Sequence, residues 1–120
     1  MAIKLKRAYE SAAAGDGVRY LVERLWPRGM KKEALKMDGW LKELAPSPEL
    51  RRWYSHDVAK WTEFQRRYTT ELNQHREAWD PLLQKAKRGT VTLLYSAHDE
   101  EHNSALVLKK YLERHLKKAT

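Results

Sequence analysis

Cysteine is missing altogether from this 120-residue chain, phenylalanine occurs once, and no apolar run approaches membrane-spanning length. The first absence excludes disulfides, thiolate catalysis and cysteine-ligated metals. The second is offset by five tryptophans and six tyrosines, whose indole N–H and phenol O–H groups need partners when buried. A membrane helix requires roughly 20 apolar residues, and the first residues carry cations without an apolar stretch behind them. Neither a span nor a signal peptide is therefore expected, and cytoplasm is the default location. A glycine-rich phosphate loop is also lacking, since Gly15 and Gly17 fit neither the dinucleotide nor the P-loop spacing. Without repeats, low-complexity runs or linkers, one domain over residues 1–120 is expected.

What is present is charge, mostly positive. The chain carries 24 basic and 16 acidic side chains, a formal net charge of +8. Residues 1–36 hold nine basic and four acidic groups, or +5. Such a surface concentrates anions, whether nucleic acid, phosphate or carboxylate ligands. A solvated face that only keeps the protein soluble explains the same charge.

Local patterning suggests strands separated by helices. Residues 3–7, "IKLKR", alternate apolar and basic as a short strand does, and Gly15-Asp16-Gly17 reads as a turn. "VRYLVERLW" reads as a strand ending near Trp26-Pro27, because proline cannot continue a central ladder. Gly29 then opens a short helical stretch, "KKEALK", whereas "DGWLKELA" suits helix or strand until Pro46 ends it. Ser47-Pro48 is an N-cap with proline at the first helical position, and Asp57 suits the cap of a longer helix. Trp61, Phe64, Tyr68, Leu72 and His75 recur at helical spacing. Asp80-Pro81 repeats the cap device before a helix that stops at Gly89. "TVTLLYSA" has the unbroken apolar character of a strand covered on both faces, and a helix with core positions Ala105, Leu108 and Leu112 closes the chain. The expected fold is α/β, Rossmann-like and three-layered: about four strands in a mainly parallel sheet, with helices on both faces.

In open parallel sheets the ligand crevice lies beyond the carboxyl ends of the strands. Arg24, Trp26 and Arg28 follow one such end, Ser47 and Arg51 the next, and Tyr95, Ser96, Asp99, His102 and Asn103 the last. Arginine suits bidentate binding of phosphate or carboxylate, and an indole can stack on a guanidinium or a flat ligand. The predicted ligand contacts are Arg24, Trp26, Arg28, Ser47, Arg51, Tyr95 and Asn103, with Arg24 and Arg28 converging on one anion. The structural alternative pairs the arginines with Glu23, Asp38 or Glu43 and makes Trp26 core.

"LVERLWPRG", "WLKELAPSPELRRW" and "TLLYSAHDEEHNSALVLKKYL", in that order, resemble the YeaO-like branch of the family called domain of unknown function 488. The resemblance covers essentially the whole chain. It implies an α/β fold and a bacterial or archaeal cytoplasmic protein, and it implies no activity. The pattern marks Arg24, Trp26, Pro27, Arg28 and Gly29, then Pro46, Ser47, Leu50 and Arg51, then Tyr95, Asn103 and Leu108. Longer relatives carry a cysteine in the last strand region where this chain has Tyr95-Ser96, so thiol chemistry does not transfer.

"HDEEH", His98 to His102, matches the letters of an inverted zinc-peptidase motif. That motif needs both histidines on one helical face. Here His98 directly follows a strand, Asp99 suits the helix N-cap and Glu100 and Glu101 suit the first turn, so neither metal nor cofactor is expected. Ser96, Asp99 and His102 supply the residue types of a hydrolytic triad, yet residues this close in sequence seldom reach its geometry. They are the available catalytic groups if there is a reaction. Three classes follow: an enzyme or binder for an anionic small molecule, which we favour; a basic nucleic-acid-binding module, for which no recognition motif is present; and a non-catalytic adaptor or oligomeric accessory protein.

Overall fold

The unbroken run Thr90–Tyr95 forms the inner strand on which the rest of the sheet is built. In the computed structural model, which describes residues 2–119, the strands are β1 (Ala2–Arg7), β2 (Val18–Leu21), β3 (Gly39–Trp40) and β4 (Thr90–Tyr95). Their order is β1-β4-β2-β3 and every pairing is parallel. Ile3 and Val18 flank Val91, while Leu5 and Tyr20 flank Leu93. These positions point to one face, where α1 (Pro48–Tyr54), α2 (Trp61–Asn73), α3 (Arg76–Arg88) and α4 (Ser104–Ala119) bury Leu50, Phe64, Tyr68, Trp79, Leu83 and Leu108.

The expected helical layer is present on this face only. Against the other face lies the irregular segment 22–38, which contributes Leu35, Met30, Met37 and Trp26 to a small cluster with Ala8, Leu21 and Leu94. A polar clamp completes that layer. The Asp16 carboxylate accepts hydrogen bonds from Ala13 N (3.0 Å), Lys6 Nζ (3.1 Å) and Arg19 Nη1. Arg19 Nε donates to the Lys36 carbonyl at 2.6 Å, and its backbone N–H to Asp38 at 2.8 Å. Gly17 is obligatory at the entry to β2. Its φ is +64°, and a Cβ there would lie 2.1 Å from the Thr90 carbonyl oxygen.

Several local expectations change. β2 ends at Leu21 instead of Trp26-Pro27: Val22 still donates to Leu94 O (3.1 Å), but β4 runs only one residue further, to Tyr95, and the chain bends at Arg24-Leu25. "KKEALK" forms a turn, with Ala34 N donating to Lys31 O, because Leu35 alone anchors it and a one-turn helix has no second apolar contact. "DGWLKELA" is both things in succession, β3 and then a 3-10 turn over Lys42–Leu44. Asp57 caps a 3-10 turn, Val58–Lys60, that leads into α2. His75 lies beyond α2 and precedes α3, which begins at Arg76 and contains Pro81. Burial of Trp79 draws the helix start ahead of the proline. Asn103, not Asp99, caps α4, accepting from Leu106 N at 2.8 Å.

Candidate functional site

Beyond the strand ends, polar groups from distant parts of the chain meet. Glu23, just past β2, accepts from Ser96 N (2.9 Å) and Ser96 Oγ (3.1 Å) just past β4. Arg7, the last residue of β1, donates to the carbonyls of Ser96 (3.0 Å) and Ala97 (2.9 Å). The guanidinium and carboxylate thus fix the turn after the inner strand from both sides. The Ser96 hydroxyl donates to the Glu23 carboxylate, and among the described residues no histidine is a hydrogen-bond partner of it.

One wall away, Arg24 turns toward the helical layer. Its Nε donates to Pro46 O at 2.9 Å and its Nη2 to Ala45 O at 3.4 Å. Ser47 accepts from Leu50 N (3.2 Å), so the Ser-Pro cap read from sequence forms as expected. The same serine donates twice to Glu71 on α2, from its N–H (2.9 Å) and its hydroxyl (2.6 Å). Arg24, Ser47 and Glu71 line a cavity of about 260 Å³, with Glu43, Glu49 and His75 at its rim. Beneath it the buried Tyr68 hydroxyl donates to Leu44 O. Burial pushes that phenol's pKa up, and the charges of Glu23 and Glu71 push it further. The cavity therefore opposes one guanidinium to three carboxylates.

His102 belongs to a third group. Its Nδ1 lies 2.9 Å from Asp99 Oδ2, and its ring stands edge-on to Trp61 at 5.2 Å between centroids. Asp99 sits below the usual carboxylate range, chiefly because the Glu101 N–H donates to it, with His102 adding to the effect. Nearby, Tyr54 is buried, and its hydroxyl has no hydrogen-bond partner among the described residues. Burial raises its pKa, and the charges of Asp99 and Asp57 raise it further. Neither Ser96 nor His102 has the other among its partners, so Ser96, Asp99 and His102 form a dyad and a separate serine rather than a triad. The helix starts at Ser104, which leaves "HDEEH" outside helical geometry, and among the described residues no three His, Asp or Glu side chains converge to hold a metal ion.

The remaining predicted contacts are scattered. Trp26 is half-buried on the opposite face, donating to Met30 O (2.6 Å) and meeting Trp40 edge-on at 5.4 Å. Arg28 is exposed, and among the described residues only its carbonyl is engaged, by the Tyr9 hydroxyl at 2.9 Å. Arg24 and Arg28 share no partner. Arg51 is exposed on α1, Tyr95 is the buried last residue of β4, and Asn103 is committed to the α4 cap and to Asp99 O. Arg24 and Ser47 are the pair that the fold brings together. Sequence reasoning missed Glu71 and Arg7, and weighed Glu23 only as an ion-pair partner of the arginines, whereas it binds Ser96. Glu71 carried a usable signal, because it adjoins Leu72 on the α2 stripe, and the structure sets it against Ser47 at the N-cap of α1.

The chain has long, near-complete relatives. It is 46% identical over 112 residues to the uncharacterized protein YeaO of Escherichia coli (strain K12), covering 93% of this chain and 97% of that one. It is 36% identical over 110 residues to the uncharacterized proteins Rv3073c of Mycobacterium tuberculosis and Mb3100c of Mycobacterium bovis, covering 92% of each chain. No solved structure matches significantly. Residues 2–120 match the family DUF488-N3i, described as the inactive DUF488-N3 subclade, and the chain belongs to that YeaO-like family.

Proposed function

We propose that this protein binds a small molecule without transforming it, and that the ligand presents a carboxylate or phosphate to Arg24 in the cavity beyond the strand ends, which Ser47 also lines. The observation that carries this reading is the cavity itself: residues 23 positions apart line one space, and two backbone carbonyls fix the guanidinium that faces it. A preset guanidinium loses little freedom on binding an anion. Glu43, Glu49 and Glu71 add negative charge, so a ligand that also carries an ammonium group fits better than a simple anion. An α-amino acid or amino phosphate has that chemistry. The dispersal of Ser96 and His102 supports binding without catalysis, as does the description of the family as inactive.

Isothermal titration with a panel of amino acids and their deaminated acids tests the reading. At least one zwitterion should bind several-fold more tightly than its deaminated acid, and Glu49→Gln, an exposed rim change, should shrink that preference while leaving the fold intact. Arg24→Lys should weaken binding roughly tenfold or more, because an ammonium cannot reproduce the planar fork. Failure of every zwitterion to bind, or a salt-steep affinity for DNA abolished by Arg28→Ala, would overturn it in favour of a nucleic-acid surface.

A further inference from the structure

A second cavity, of about 530 Å³, lies at the other end of the sheet, where β1 begins. Its apolar lining is Ala2, Ile3 and Leu116. Lys110, Glu113, Arg114 and Lys117 of α4, the helix that also carries Leu116, form its charged wall. Lys110 and Glu113 are three residues apart, as are Arg114 and Lys117, and Lys110 and Arg114 are four apart, so they share one stripe of α4 and the helix presents a charged edge along an apolar space. Glu113 is also 3.8 Å from Lys109 on its own helix. Arg114 sits 5.9 Å from the Tyr111 ring centroid, and neither Arg114 nor Lys110 has a carboxylate partner among the described residues. The net charge of the wall is positive.

From this arrangement we infer a binding site for an anionic amphiphile: a free small molecule with a carboxylate, sulfonate or phosphate head and an alkyl or aryl body. The two halves of the lining ask for different things. Contact with Ile3 and Leu116 rewards hydrocarbon removed from water. The cationic stripe rewards a head group that stays at the mouth, where arginine and lysine stems extend the apolar lining while their charged ends remain wet. A volume of 530 Å³ lies in the range of small-ligand pockets. A nucleic acid would use the cations but gain nothing from the apolar floor. This site shares no residue with the cavity at the strand C-termini, so the two readings stand or fall separately.

The test is titration of the full chain with decanoate, decylammonium and decan-1-ol, each kept below the concentration at which it aggregates, and followed by calorimetry. Decanoate should bind saturably and more tightly than either analogue, and octanoate should bind several-fold more weakly than decanoate. Arg114→Glu and Lys110→Glu should each weaken decanoate about tenfold or more. Lys85→Glu, an exposed reversal on α3 with the same change in net charge, should leave it unchanged. Two rim variants are included so that the loss of one to misfolding still leaves a reading. Absence of saturable decanoate binding, equal binding of decylammonium, or equal weakening by Lys85→Glu would overturn the inference.

Discussion

The two faces of the sheet are built by different physics. Among the described residues, the helical face gathers 21 buried apolar side chains from strands and helices alike. The other face has four, and holds its covering segment with hydrogen bonds and ion pairs centred on Asp16 and Arg19. Hydrophobic burial is non-directional and tolerates approximate shape. A polar clamp demands geometry, because each buried charge left unpaired costs more than the pair contributes. The helical face therefore supplies most of the stability, while the loop face supplies position: it aligns the 22–38 segment and, through Glu23 and Arg24, the residues beyond the strand ends.

The largest test of this division is Trp79→Ala. The ring is 2% exposed, meets Tyr111 edge-on at 5.3 Å, and donates from its indole to Leu72 O at 2.8 Å. Its removal should cost about 4 kcal/mol in denaturant unfolding, the range for a buried large-to-small change. Trp26→Ala on the loop face should cost less, roughly 2 kcal/mol, because the ring is only half-buried and packs on a cluster with few members. Equal costs would show that the loop layer is a second core in its own right.

The sequence was most legible where burial decides the outcome. The apolar run at Thr90–Tyr95, the Phe64-Tyr68-Leu72 stripe and the core positions of α4 all landed as their periodicity requires. Legibility failed where a non-local partner decides. "VERLW" has strand composition, but a strand needs a neighbour to pair with, and β4 ends too soon to offer one. Arg24 and Arg28 are close in sequence, yet the bend between them sends one guanidinium to the Ala45 and Pro46 carbonyls and leaves the other in solvent. The Ser-Pro cap was readable because capping is local. Its attachment to Glu71, across 24 residues, was not.

The finest test concerns the shape of the acid limb rather than the size of a stability loss. Asp16 is held below the ordinary carboxylate value of 3.8, first by the Ala13 N–H and then by Lys6 and Arg19, against the opposing effect of burial. A depressed folded-state pKa means that the unfolded chain takes up the proton first. The stabilisation is therefore complete above 3.8 and is lost as pH falls below that value toward the folded pKa. Asp16→Asn removes the titration. Its unfolding free energy should start lower at neutral pH, because Arg19 and Lys6 lose their counter-charge, and should fall less steeply in acid, so that the two curves approach one another. Asp99 and Glu63, the latter lowered to about 2 by Arg66 and Arg67, add their own slopes to both proteins. Salt separates these contributions. The Glu63 pairs are solvent-exposed and should be screened at an ionic strength of about 1 M, where the Debye length is about 3 Å. The Asp16 cluster, with Asp16 and Arg19 only 5% and 6% exposed, should keep its share. If the wild-type and Asp16→Asn limbs run parallel at high salt, the clamp on the loop face holds its segment by shape and hydrogen bonds alone, and the contrast between the faces is one of packing density rather than of charge.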